Sequence, residues 1–107
     1  MRDDRNGQIV VIFLSRRTGA DDLGYAAAAE AMESLATRQP GYRGIESMRG
    51  ADGLGITLSF WADEASAIAW RNHPEHTAIR NAGRDRWYSS YEVIVCEAQR
   101  SYTWALG

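Results

Sequence analysis

The chain has 107 residues, of which 45% are hydrophobic and 24% charged, a length and balance that fit one domain spanning residues 1–107 with an ordinary core. Twelve basic residues, all arginine, stand against 14 acidic ones, and the net charge of −2 argues neither for nucleic acid nor for an anionic membrane surface. A single cysteine, Cys96, excludes an internal disulfide and fits a reducing compartment.

No apolar run approaches the roughly 18 residues of a membrane span. The opening MRDDRNGQ lacks the apolar stretch of a signal peptide, so a cytoplasmic address is expected, with residues 1–7 flexible. Ile9 to Leu14 is an unbroken β-branched and apolar run, which predicts a strand covered on both faces. Asp21 and Asp22 then offer a cap for a helix whose apolar stripe is Tyr25, Ala28, Ala29, Met32, Leu35 and Ala36, stopped by Gln39-Pro40-Gly41. Tyr42 to Arg49 reads as a strand. The turn Gly50-Ala51-Asp52-Gly53 follows, because Asp-Gly accepts the backbone angles a tight hairpin needs. The return strand alternates, with Ile56, Leu58 and Phe60 on one face and Thr57, Ser59 and Trp61 on the other.

Asp63 caps a second helix running through Trp70. Pro74 breaks it and suits the first turn of a new helical segment, with Ala78, Ile79 and Ala82 on its apolar side and Gly83 ending or kinking it. Tyr91 to Cys96 is the last strand, apolar on both parities. The order β-α-β-β-α-β predicts a ferredoxin-like α+β fold, an antiparallel sheet with its helices on one face. Such a sheet has one free face, yet the first and last strands are apolar on both. A second copy of the sheet is the simplest cover, so a homodimer packed face to face is expected.

The PGYRGIES segment, the hairpin ending in SFW and the stretch EASAIAWRNHPEHTAIRNAGRDRWY resemble the antibiotic-biosynthesis-monooxygenase (ABM) family, along essentially the whole chain. The resemblance implies a dimeric α+β barrel. It also implies one of three functions: cofactor-independent monooxygenation of a small aromatic or quinol-type metabolite, haem binding or degradation, or a non-enzymatic binding or stress-response module. Cofactor independence is the leading expectation, with haem as the alternative. Trp70 matches in position the tryptophan lining the haem pocket of the haem-degrading branch. Ten residues further on, where that branch places its histidine ligand, this chain has Arg80, and its first strand has no asparagine; His76 is the nearest histidine.

The residues themselves leave alternatives open. Trp61, with Thr57 and Ser59 on its face, either stacks on an aromatic substrate or packs a dimer. His73 and His76 lie three residues apart across Pro74, but no third well-spaced ligand accompanies them, so no metal is expected. His76, if it faces a cavity, is the side chain suited to proton transfer near neutrality. Arg84, Trp87 and Tyr91, with Arg86 and Tyr88, either hold a substrate oxyanion or are split between solvent and core. The expected catalytic set is therefore His76, Trp61 and Tyr91, with Trp70, Thr57, Ser59, Arg84 and Trp87 binding the substrate between sheet and helices. Cys96 is expected to be an inert core residue.

Overall fold

The computed structural model describes residues 5–107. Four strands, β1 (Ile9–Arg17), β2 (Tyr42–Arg49), β3 (Leu54–Trp61) and β4 (Tyr88–Glu97), form one antiparallel sheet in the order β2-β3-β1-β4. The helices are α1 (Asp22–Thr37), α2 (Glu64–Arg71) and α3 (Pro74–Ala82), and a π-helical turn at Gly83–Trp87 joins α3 to β4. This is the ferredoxin-like arrangement that the element order predicts.

Local chemistry sets the helix boundaries. The Asp21 carboxylate accepts from Gly24 N–H at the start of α1, and Asp63 accepts from Ser66 N–H at 2.8 Å at the start of α2. That second bond also holds the Asp63 carboxyl below its usual range. His73 caps α3 through its Nδ1, which accepts from Glu75 N–H, and Pro74 occupies the first turn, where its missing N–H costs nothing.

Two boundaries differ from expectation. β1 runs on to Arg17, because Ser15, Arg16 and Arg17 pair with Gly55, Leu54 and Tyr88. β4 begins at Tyr88, three residues early, and the π turn absorbs the residues before it. Gly83 ends α3 as expected, standing at its C-cap where the π turn begins. It keeps helical angles, and a Cβ there would stand 2.9 Å from the Tyr88 ring, so the glycine admits that ring. Of the leading segment expected to be loose, residues 1–4 lie outside the described residues. Gly7 N–H, however, donates to the Ala98 carbonyl, and the Arg5 guanidinium lies 3.5 Å over the Phe60 ring.

The strand register sorts the two faces. Ile9, Val11, Phe13 and Ser15 share the helix side with Trp61, Ser59, Thr57 and Gly55. There Trp61, Leu35, Ala36, Ala67 and Trp70 form the core, with Ile9, Val11, Met32 and Tyr42 packed against it. The other parity, Val10, Ile12 and Leu14 with Phe60, Leu58 and Ile56, meets no helix. Its members Leu54, Ile56, Met48 and Ile94 are exposed. Cys96 also lies on this open side and is exposed rather than in the core, because no element of its own chain covers that face. No helix is long and apolar enough to cross a membrane.

Candidate active site

On the helix side the sheet carries two groups of rings. The first is built from β3, α2 and α3. Trp61 is fully enclosed; its Nε1–H donates to the Ser59 hydroxyl at 3.0 Å, and Tyr42 meets it edge-on. Trp70 stacks on Trp61 at 5.8 Å and His76 stacks on Trp70 at 4.4 Å and 17°, making a column of three rings. His73, occupied as a cap, sits tilted beside Trp70. Of the two histidines it is His76 that turns inward. Trp61 therefore packs within its own chain, backing Trp70.

His76 Nδ1 lies 3.0 Å from the Trp70 carbonyl oxygen. A carbonyl can only accept, so Nδ1 carries the proton and Nε2 keeps its lone pair. Burial pushes the His76 pKa below 6.5; the carbonyl bond opposes this, and the nearby charges of Arg80 and His73 add to it. The ring is therefore neutral at pH 7, in the tautomer a general base requires. Arg80, one turn further along α3, donates from Nη1 to the Arg71 carbonyl, while its buried Nε has no hydrogen-bond partner.

The second group lies at the other end of the sheet. Tyr91 pairs in register with Ser15, six residues along β1 from Ile9, the partner of Trp61; at the backbone this is about 20 Å. Tyr91 accepts from Arg84 Nε at 2.6 Å and packs on Phe13 at 5.2 Å. Trp87 is buried, donates to Asp21 Oδ2 and meets Tyr25 edge-on. Burial and the neighbouring Tyr25 push the Tyr88 hydroxyl well above the usual phenol range, so it stays protonated.

Arg49, which drew no attention in the sequence, projects into this end. Its Nη2 donates to the Ser15 hydroxyl at 2.8 Å and to the Tyr25 hydroxyl at 3.1 Å, and its Nη1 to the Gly53 carbonyl. A Cβ on Gly55 would stand 2.5 Å from the Arg49 guanidinium carbon, so that glycine makes room for it. The strand parity of β2 was the available signal, since Arg49 shares the helix side with Ile45 and Ser47.

Between the two groups the floor is Val11, Phe13, Thr57, Val93 and Val95. The Thr57 hydroxyl is bonded to the Ser47 hydroxyl. Val93 and Val95 are 49% and 57% exposed, so the helices leave the outer strand half open. A cleft of about 250 Å³ reaches Trp70 from outside between Gln39, Asp63 and Ser66. Another, of about 300 Å³, lies at the strand ends by Ser15, Leu54 and Tyr91. Both are at or below the lower limit of about 300 Å³ usual for small-molecule sites.

The four-stranded antiparallel sheet with its helices on one face defines the class as a small ferredoxin-like α+β domain. The antibiotic biosynthesis monooxygenase profile matches residues 8–82, and the chain belongs to that family. It is 48% identical over 90 residues to the uncharacterized protein YqjZ of Bacillus subtilis, covering 84% of this chain and 78% of that one. The fold is similar to that of SnoaB, a cofactor-independent oxygenase from Streptomyces nogalater, with a TM-score of 0.75, 16% identity, and coverage of 89% and 96% of the two chains. It is also similar to protein SO0527 from Shewanella oneidensis, with a TM-score of 0.77, 12% identity, and coverage of 90% and 95%.

Haem does not fit these residues well. Arg80 stands ten positions after Trp70, and a guanidinium is a donor with no acceptor lone pair to offer iron. His76, one turn earlier, has a face pressed on Trp70 and one nitrogen committed to a carbonyl. Among the described residues, no three His, Cys, Asp or Glu side chains form a metal-binding group.

Proposed function

We propose that the protein is a cofactor-independent monooxygenase acting on a small electron-rich phenol or quinol, with His76 as the general base. The observation that carries this reading is the His76 ring: inward, neutral, and with its lone pair on Nε2 because Nδ1–H is spent on the Trp70 carbonyl. Trp70 forms the ring wall beside the base, and Trp61 and Ser59 hold Trp70 in place. The guanidinium of Arg80, a turn away, offers positive charge to the oxyanion produced by deprotonation. Thr57 on the floor, and Tyr91 with Arg84 and Trp87 at the far end, supply the remaining contacts.

His76 removes the substrate proton, and the resulting anion is electron-rich enough to pass an electron to O2. Recombination forms a carbon–oxygen bond to a hydroperoxide. Loss of water from it converts a ring C–H para to the hydroxyl, together with the phenolic O–H, into the two carbonyls of a quinone, one oxygen atom entering the product and the other leaving as water. The four electrons taken up by O2 all come from the substrate, so no reductant is needed. In the homodimer that this reading includes, the open sheet face, with Met48, Ile56 and Ile94, packs on that of a second copy.

The test is O2 uptake with a panel of anthrones, naphthols and hydroquinones after exhaustive dialysis against chelator. Wild-type protein is expected to consume O2 with at least one of them. His76→Gln should lower kcat by about 10²- to 10⁴-fold with unchanged far-UV circular dichroism. Turnover that His76→Gln leaves intact would remove His76 from this role. A panel that gives no uptake at all favours a binding module.

A further inference from the structure

Beyond β4 the chain runs on through residues 98–107 with neither helix nor strand, and its base is firmly fastened. Ala98 N–H donates to the Gln8 carbonyl at 2.8 Å, the Ser101 hydroxyl accepts from Arg5 N–H at 2.6 Å, and Ser101 N–H donates to Asn6 Oδ1 at 3.1 Å. Arg5 lies against Phe60, on the open side of the sheet. The segment therefore departs on that side.

Past Ser101 come Tyr102, Trp104 and Leu106, 85%, 84% and 91% exposed, alternating with the smaller Thr103 and Ala105. Where a chain is extended, side chains at alternate positions share one edge, and the spacing of these three suits such an edge; their own domain does not cover them. Leaving an edge of this size in water is unfavourable, and exposed apolar surface of such extent marks an interaction site. The anchoring at Ser101 fixes where the edge starts, and the open sheet face with Met48, Ile56 and Ile94 lies on the same side.

We propose that residues 99–107 are an exchange arm, which seats Tyr102, Trp104 and Leu106 on a second copy of this chain along the margin of its open sheet face. The proposal rests on the dimer put forward above. The size of the edge favours a second copy as occupant. Large side chains bury on the order of 150–250 Å² each, so two arms remove roughly 1,000 Å² from water, and the surfaces they cover add about as much. That total lies near the roughly 1,200–2,000 Å² of a stable interface. A two-fold axis lets each copy give one arm and receive one, leaving no edge unmatched.

The experiment is sedimentation equilibrium of the full chain, run beside Tyr102→Ser/Trp104→Ser/Leu106→Ser, with acrylamide quenching of wild type and Trp104→Phe. Wild type should be a dimer, and the triple variant should dissociate about a hundredfold more readily with unchanged far-UV circular dichroism. The emission lost in Trp104→Phe should be blue-shifted and shielded from quencher. A wild-type dimer whose dissociation constant the triple variant leaves within about threefold overturns the arm but not the dimer. So does a water-like Trp104 emission in that dimer, a readout that stands even if the triple variant does not fold. A wild-type monomer at tens of micromolar overturns both.

Discussion

At the scale of single residues, His76 sets the pH behaviour. Its folded pKa lies below 6.5, chiefly through burial, so the fold favours the neutral ring. The stabilisation is fully present above pH 6.5, the value in the unfolded chain, and is lost as pH falls through the lower folded value. Melting temperature should therefore decline from pH 7 toward pH 5, and His76→Gln should flatten that part of the profile. A decline of equal depth in the variant would assign the acid sensitivity to other groups. Much at this scale was legible beforehand: His76 stood out as the titrating residue, and Asp63 and Pro74 as the groups bounding the helices. Arg49 was not. An arginine at the end of a poorly alternating strand looks solvated, and only the register shows it bonded to Ser15 and Tyr25.

Among the elements, the junction of β2 with α2 is the most tightly specified. Gly41 has φ +82, and a Cβ there would fall 2.1 Å from Ser66 Oγ and 2.5 Å from Ser66 Cβ, so both the backbone and the seat of α2 require glycine. Gly19 has a similar φ of +84 with nothing within 4 Å. Gly19→Ala should cost about 1–2 kcal/mol from the backbone alone. Gly41→Ala should cost more, and the difference between the two in urea unfolding isolates the contact with α2. Equal losses would mean that α2 shifts freely. Strand β2 and the helix starts could be read from sequence because a turn, a capping carboxylate or, for α3, Pro74 marks each one. The early start of β4 could not, since Gly83 to Trp87 carries no mark that distinguishes a π turn from a helix end. Nor does alternation in β3 say which parity the helices take. They cover the side of Thr57, Ser59 and Trp61, leaving Ile56 and Leu58 outward.

For the whole molecule, that outward parity is the decisive feature. Hydrophobic strands on a face without helices suit sheet-on-sheet packing, in which side chains of two faces interdigitate about 10 Å apart. Ile56, between Leu14 and Met48 in register and 40% exposed, lies well inside the face. Ile56→Asp should convert a dimer seen by light scattering into a monomer that keeps its secondary structure, because a carboxylate cannot be buried there unpaired. A dimer that tolerates the aspartate would place the contact elsewhere. The β-α-β-β-α-β order pointed to the ferredoxin-like sheet from the sequence, and the two-sided apolar strands are the reason a second copy is expected on its open face. The projecting edge of Tyr102, Trp104 and Leu106 drew no notice there, because after the last strand an alternation of three residues resembles an ordinary tail.

The stacked column of Trp61, Trp70 and His76 has an optical consequence. An excited indole gives up an electron to a charged imidazolium far more readily than to a neutral imidazole. Protonation of His76 should therefore dim the light from Trp70, and an emission titration that His76→Gln abolishes would track that ionisation. The charge state of the proposed base can in this way be followed in the resting protein, before any substrate has been found.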